Sequence, residues 1–194
     1  MRIRRCIFVL IVLILVIGCY GKSQNTMIQN QVNKIKAKTI AVLPIERNDT
    51  DTRAARLLRS RLLEELYFKG YAKLSLDTID RKLNINPDDL KMRAITPQEL
   101  KEMLGADAGL YCKLKEDDKT KIFYEPIKMS LSCELRSSET GETIWKGQSE
   151  SVRRNFGLTG KDLEKQKHDD FEEVIDEAVN KVIKTLPDGP NLSS

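Results

Sequence analysis

The chain has 194 residues, of which 40% are hydrophobic and 32% charged, a composition typical of a globular protein rather than a disordered one. Its formal net charge is +4, but Arg2, Arg4 and Arg5 lie in an N-terminal segment that we expect to be removed. Without these three, 30 basic residues stand against 29 acidic ones. This near balance argues against a general nucleic-acid-binding protein, which needs a concentrated basic surface.

Residues 1–18 have the features of an export signal. Three arginines precede an unbroken apolar run from Ile7 to Ile17, and this run is too short for a permanent membrane helix, which needs about 20 apolar residues. A run of this length is typical of the core of a cleavable signal peptide.

The signal ends with the four residues Val16 to Cys19, which resemble the lipobox of bacterial lipoproteins. That resemblance implies that the Cys19 sulfur receives a diacylglyceryl group and that a peptidase cleaves between Gly18 and Cys19. Acyl chains would then anchor the protein in a membrane, since each buried CH₂ contributes about 0.8 kcal/mol. An ordinary signal peptide, or an uncleaved anchor with a chance cysteine, is the alternative.

Tyr20 follows the cysteine where an aspartate would indicate retention in the inner membrane. In a diderm source we therefore expect the outer membrane, on its periplasmic face, with surface exposure left open. Residues 19–37 form the lipidated cysteine and a polar segment without sustained periodicity, which predicts a mostly flexible tether. Fully extended, it spans roughly 60 Å.

The folded domain is expected from residue 38. Lys38 to Ile45 is a β-branched apolar run that predicts a buried strand. The loop from Glu46 to Asp51 offers N-caps for a helix over residues 52–69, which Gly70 ends. Tyr71 to Leu76 is predicted to be a second strand, so that strand, helix and strand form a right-handed crossover with parallel pairing.

Two shorter helices are predicted next. Asp77 can cap a helix from Thr78 to Leu83, and Thr96 to Glu99 is a capping box with proline in the first helical position. Gly105 ends this second helix. Its predicted apolar face consists of Leu100, Met103 and Leu104.

Three strands follow, over Ala108 to Lys115, Ile127 to Arg136 and Thr143 to Val152. The middle one alternates apolar and polar residues, which is typical of a half-buried antiparallel strand. Trp145 is predicted to be a core residue of the sheet.

The last predicted helix, about Lys161 to Leu186, carries one apolar stripe that should lie across the sheet, and residues 187–194 are predicted to be a loose tail. Residues 38–186 thus form a single globular domain in the order βα-βα-α-βββ-α. We expect a mixed α/β fold whose sheet is parallel at its start and antiparallel at its end, with helices packed against it.

The sequence predicts no catalytic, cofactor-binding or metal-binding site. The single histidine, His168, lies beside acidic residues and is interpreted as a solvated surface residue. The acidic pairs do not match the spacing of an EF-hand, and no nucleophile or nucleotide-binding motif is present. Cys112 and Cys133 could form a disulfide in an oxidising compartment, or could be two buried small hydrophobic residues.

Several motifs together resemble a family of periplasmic lipoproteins typified by a meningococcal genome-derived antigen. The motifs are Ile40 to Pro44 with Asn48 and Thr50, Leu58 to Tyr71, Thr96 to Leu100, Leu104 to Ala108, Thr140 to Glu142, and Ile144 with Trp145. The resemblance covers roughly residues 38–182. It implies a fold similar to the amino-terminal domain of TolB, with the curli-secretion lipoprotein CsgG and the synthase activator LpoB as more distant relatives.

The resemblance also implies an envelope lipoprotein that works by protein–protein contact and is not an enzyme, and only the lipidated Cys19 is carried over from the family. We therefore expect a non-enzymatic adaptor or accessory subunit of an envelope assembly or transport complex, with homo-oligomerisation left open. The alternatives are an activator of a peptidoglycan synthase and a component associated with a curli-type secretion pore. Residues 113–126 are too charged for a self-inserting pore, and an enzyme or small-ligand binder is less favoured.

Overall fold

The computed structural model describes residues 37–48, 52–89, 93–116, 127–153 and 160–192, with side chains in the last helix from residue 172 onward. The predicted signal peptide, Cys19, the predicted tether up to residue 36 and the side chain of His168 lie outside the described residues. The helices are α1 (Thr52–Phe68), α2 (Leu76–Leu83), α3 (Pro97–Leu104) and α4 (Gly160–Ile183). The strands are β1 (Ile40–Val42), β2 (Glu46–Arg47), β3 (Ala108–Glu116), β4 (Ile127–Ser137) and β5 (Thr143–Arg153).

The strands form one mixed sheet in the order β1-β3-β4-β5, with β2 also paired to β3. β1 and β2 run parallel to β3, with Ile40 opposite Ala108 and Glu46 opposite Lys113. β3, β4 and β5 pair antiparallel. The predicted mixed α/β fold, parallel at its start and antiparallel at its end, is therefore confirmed.

The predicted second strand over residues 71–76 is wrong, and this segment instead makes one isolated parallel bridge, between Thr39 and Ala72. Gly70 ends α1 with a φ of +85°, and α2 already begins at Leu76, two residues before the predicted start at Thr78. The five intervening residues serve as a helix-to-helix connection, and the parallel partner of β1 is β3.

The first predicted strand is shorter than expected. β1 has three residues, and the chain pairs again with β3 only at Glu46 and Arg47, which the sequence had placed in a loop. Pro44 lies between the two pieces and has no N–H to donate to a neighbouring strand, so the pairing is interrupted there.

The capping box of α3 is confirmed. The Thr96 hydroxyl accepts from the Glu99 N–H at 3.2 Å, and the Thr96 N–H donates to the Glu99 carboxylate at 2.8 Å. Gly105 follows in the left-handed conformation. Met103, however, is 40% exposed and does not belong to the apolar face, which consists of Leu100 and Leu104.

Two apolar clusters lie on opposite sides of the sheet. The larger one fills the space between the sheet, α1 and α4, and includes Trp145. The smaller one lies between β1, the start of β3, α2 and α3. The covered face of the sheet, as we call the side under α1 and α4, carries the side chains of Ala108, Leu110, Cys112, Leu114, Met129, Leu131, Cys133, Leu135, Trp145, Ser149 and Ser151, all buried.

One buried ion pair joins β1, α1 and α2. The Arg59 guanidinium donates to the Val42 carbonyl at 3.0 and 3.1 Å and to the Asp80 carboxylate at 2.7 and 2.8 Å. A charged group inside the domain is tolerated when its donors are satisfied in this way. The sequence analysis predicted the helix that carries Arg59 but did not single out Arg59 as a buried residue.

The predicted loose tail is wrong for residues 187–192. The Tyr71 hydroxyl donates to the Pro187 carbonyl at 2.9 Å, and the Gly189 N–H donates to the Lys69 carbonyl at 2.6 Å. A Cβ on Gly189 would lie 2.6 Å from the carbonyl carbon of Gly70, so the close approach of the two backbones requires glycine. Burial raises the pKa of Tyr71 to about 12.

Candidate interaction surface

The outer face of the antiparallel strands, opposite the covered face, carries mainly polar side chains. Alternation along β3, β4 and β5 places there Tyr111, Lys113, Lys115, Lys128, Ser130, Ser132, Glu134, Arg136, Lys146, Gln148, Glu150 and Val152, all half-buried or exposed. β4 follows the predicted alternation, with Met129, Leu131, Cys133 and Leu135 buried. The same three strands therefore contribute to the core with one face and present an open polar surface with the other.

A groove of about 620 Å³ runs along this outer face. Its floor is formed by the strands and one wall by the segment Arg93 to Ile95, which precedes α3. The Tyr111 hydroxyl donates to the Ile95 carbonyl at 3.2 Å and holds this wall against β3. The Arg136 guanidinium lies 4.7 Å from the centre of the Tyr111 ring, in the range of a cation–π contact.

The charges in the groove form ion pairs, one within β4 and two between neighbouring strands. Glu134 accepts from Arg136 at 2.8 Å and from Lys146 at 2.9 Å, and Lys113 contacts the Glu46 carboxylate at 3.0 Å. The hydrogen bonds from Arg136 and Lys146 lower the pKa of the Glu134 carboxyl, so this group is an anion at neutral pH. Burial raises the pKa of the Tyr111 phenol, which stays neutral.

This arrangement offers hydrogen-bond donors and fixed charges to a bound molecule. The groove contains no nucleophile paired with a base among the side chains that line it. Within the described ranges there is also no group of three or more His, Cys, Asp or Glu residues that could hold a metal ion.

Cys112 and Cys133 lie directly opposite each other on β3 and β4, with Cα atoms 4.1 Å apart and sulfur atoms 1.99 Å apart. Both are buried on the covered face, beneath the floor of the groove. The sequence had left open whether they pair, because strand register cannot be read from spacing alone.

The sequence did not predict the outer face as a site. Its residues come from three strands, and none belongs to a known motif. The alternation noted for β4 continues in β5, where Lys146, Gln148 and Glu150 are exposed and Trp145, Ser149 and Ser151 are buried. That continuation is the signal that could have indicated a two-sided sheet with one open face.

Residues 29–191 match the lipoprotein family described as GNA1162-like. The chain belongs to this family. No curated protein matches its sequence. For the part of the chain that the structure describes, no helix is both long and apolar enough to span a bilayer.

Solved structures show the same fold. The GNA1162 lipoprotein from Neisseria meningitidis is similar with a TM-score of 0.54 and 18% identity, over 70% of this chain and 96% of that one. A PelC dodecamer from Paraburkholderia phytofirmans gives 0.51 and 16%, over 78% and 90%. The LpoB C-terminal domain from Escherichia coli gives 0.45 and 17%, over 64% and 92%. The expected lipoprotein family is confirmed, and the more distant similarity to LpoB, TolB and CsgG stays a prediction.

Proposed function

We propose that this GNA1162-like protein is a lipid-anchored, non-enzymatic adaptor of the cell envelope that binds a partner protein through its outer face. The observation that carries the proposal is the groove on that face, whose side chains are ordered by cross-strand ion pairs and are open to solvent. A surface fixed in this way loses little conformational freedom on binding, which favours recognition.

The charges indicate the chemistry of the partner. Among the described residues of the outer face, five cations (Lys113, Lys115, Lys128, Arg136 and Lys146) stand beside Glu134, Glu150 and the adjoining Glu46. Because cations are in excess, an acidic segment is the complementary ligand. The partner is therefore an envelope protein that presents an acidic surface.

The proposed lipid anchor places the domain in the cell envelope, where its partner would lie. Residues 1–18 are the export signal, Cys19 carries the lipid, and the tether up to residue 37 holds the domain of residues 38–186 near the outer membrane, on its periplasmic face. The lipobox and Tyr20 support this placement. Mass spectrometry of the native protein should find a diacylated or triacylated N-terminal Cys19, and an unmodified terminus would contradict it.

Site-specific photocrosslinking tests the outer face directly. A photoreactive phenylalanine at Gln148, inside the groove, should give one discrete adduct with another envelope protein, besides any adduct between two copies of the chain. The same group at Lys82, an exposed residue of α2, should not. The adduct should be lost when Lys115 and Lys128 are both changed to Glu.

Equal labelling from Gln148 and Lys82, or an adduct that survives both charge reversals, would contradict the proposal. Identifying the crosslinked protein also distinguishes the alternative functions. A peptidoglycan synthase in the adduct would support the activator, and a secretion-pore subunit would support the pore-associated component.

Self-association is the second part of the proposal, and the free edge of β5 supports it. Among the described strands, β5 pairs only with β4. Cys112 and Cys133 form a close pair, so by alternation the backbone groups of Lys146, Gln148 and Glu150 point away from β4. If two copies pair antiparallel about Gln148, Lys146 of each copy lies opposite Glu150 of the other.

Charge exchange tests this pairing. The Lys181 ammonium already bonds the Glu150 carbonyl at 3.1 Å and must be displaced. Sedimentation of the detergent-solubilised lipoprotein should show that Lys146→Glu or Glu150→Lys alone weakens association and that the double variant restores it. A double variant no better than either single one would exclude this interface.

A further inference from the structure

The geometry points to a second surface, on which the domain rests against lipid. We call it the aromatic patch, and it consists of Tyr67, Phe68, Lys73 and Leu192. This inference rests on the proposed lipidation of Cys19 and adds the orientation of the domain: the end of α1, with the tail beside it, faces the headgroup region of the bilayer.

The patch is a cluster of exposed apolar side chains. Tyr67 is 57% exposed, Phe68 69% and Leu192 55%, and these are three of the five large hydrophobic residues exposed among those described. The Tyr67 and Phe68 rings lie edge to face, 6.1 Å apart. Leu192 lies against Gly70, two residues beyond Phe68, since a Cβ on Gly70 would be 2.8 Å from its Cγ. Scattered apolar residues are normal on a surface, whereas a cluster marks an interaction site.

The apolar stripe of α1 does not account for this cluster. The buried positions of the helix end at Leu66, and the next two residues turn their rings away from the core. The tail bonds with the end of the helix but leaves both rings exposed, whereas the nearby Tyr71 ring is buried and its hydroxyl donates to the tail. Nothing within the described part of the fold covers the patch.

The chain enters the domain beside the patch. The Ala72 N–H donates to the Lys38 carbonyl at 2.8 Å, and Thr39 forms a bridge with Ala72. Ala37, the first described residue, is therefore next to the segment that joins the patch to α2. The 18 residues from Tyr20 to Ala37 lead back to Cys19 and span roughly 60 Å at most, so their length permits this side of the domain to rest on the bilayer surface.

The residue types fit the membrane interface. Aromatic side chains with an apolar body and a polar tip concentrate at the headgroup level, and lysine extends its ammonium toward phosphates. The Lys73 ammonium lies 5.9 Å from the centre of the Tyr67 ring and is exposed. The occupant that matches this combination is a bilayer surface with anionic headgroups.

Fluorescence quenching tests the orientation in the full lipidated protein. Phe68→Trp places a reporter in the patch, and Val152→Trp places the matched control on the exposed end of β5, where Val152 is 54% exposed. The buried Trp145 gives the same background in both. In vesicles of phosphatidylethanolamine and phosphatidylglycerol with brominated acyl chains, we expect loss of the added emission from the first variant and not from the second. Equal quenching, or none at Phe68→Trp, overturns the inference.

Flotation separates failure of the anchor from failure of the orientation. If Cys19 carries no lipid, neither variant floats with the vesicles, and the proposed function fails with it. If both variants float and neither is quenched, the lipid anchor is present but the aromatic patch does not contact the bilayer. The patch would then be a candidate protein-binding surface. Lys73→Glu in the Phe68→Trp background should reduce the quenching, whereas Lys82→Glu on α2 should not, and identical quenching in both would exclude a headgroup contact by Lys73.

Discussion

The two faces of the antiparallel strands differ more than any other two regions of the molecule, although they are built from alternate residues of the same strands. On the covered face, Leu110, Leu131 and Leu135 are fully buried. On the outer face, Lys146 and Gln148 are exposed. The covered face packs against α1 and α4, whereas the outer face carries ion pairs beside an open groove.

This difference separates stability from recognition. Burial of apolar surface contributes roughly 25 cal/mol per Å², so the covered face supplies much of the folding free energy. Exposed ion pairs contribute about 0–1 kcal/mol each, so the outer face can change with little effect on the fold. If the two faces have these roles, substitutions on neighbouring residues of one strand should have very different effects.

The largest expected effect is that of Leu131→Ala on the covered face. Leu131 is fully buried, and its truncation should lower the free energy of unfolding by about 3–4 kcal/mol, because apolar contacts are lost and a cavity remains. Ser132→Ala, one residue away on the outer face, is the matched control and should change it by less than about 0.5 kcal/mol. Urea unfolding of both variants measures the contrast, and similar losses would refute the division of roles.

The next largest effect on stability is expected from a disulfide between Cys112 and Cys133, which we propose from the position of their sulfur atoms. The two cysteines are 21 residues apart, and a cross-link closing such a loop stabilises by about 3 kcal/mol in the chain-entropy model. The double variant with alanine at both positions should lose about this much. Reductant should destabilise the native protein and leave the double variant unchanged. A native protein insensitive to reductant would favour the alternative of two buried thiols.

The sequence predicted well those elements whose patterns are long. The capping box at Thr96, the stripe of α1 and the alternation in β4 are local signals, and each predicted element is present. The wrong predictions concern short segments. Residues 71–76 have the composition of a strand, but the ends of two helices leave them no room to pair, and that constraint is tertiary.

Contacts between residues far apart in the chain could likewise not be predicted from the sequence. Arg59 is buried because Asp80 and the Val42 carbonyl receive its donors, and the tail is ordered because it bonds with residues 69–71. The groove depends on the register of three strands, which places Lys146 beside Glu134. Only the polar alternation of the strands could have indicated it.

Two serines on the covered face test how polar groups behave among apolar ones. A buried polar atom there should stabilise the fold only when it makes a hydrogen bond. The Ser149 hydroxyl donates to the Ala178 carbonyl at 2.9 Å, whereas the buried Ser151 hydroxyl has no hydrogen-bond partner among the described residues. Ser149→Ala should cost about 1 kcal/mol, and Ser151→Ala should be neutral or slightly stabilising. Thermal unfolding of the pair decides this, and an equal cost at both positions would contradict it.

The smallest effect is expected for Glu134→Gln on the outer face. Its carboxylate is one-third exposed and accepts from Arg136 and Lys146, so its loss should lower the free energy of unfolding by less than about 1 kcal/mol at pH 7. Because these partners lower the pKa of Glu134 below its usual 4.5, the stabilisation is present above that pH and declines as the pH falls below it. Denaturant titrations of both proteins from pH 7 to pH 3 should therefore converge on the acid side. A difference that is large at pH 7 or grows toward acid would mean that the outer face carries folding energy, and the division between the faces would then have to be abandoned.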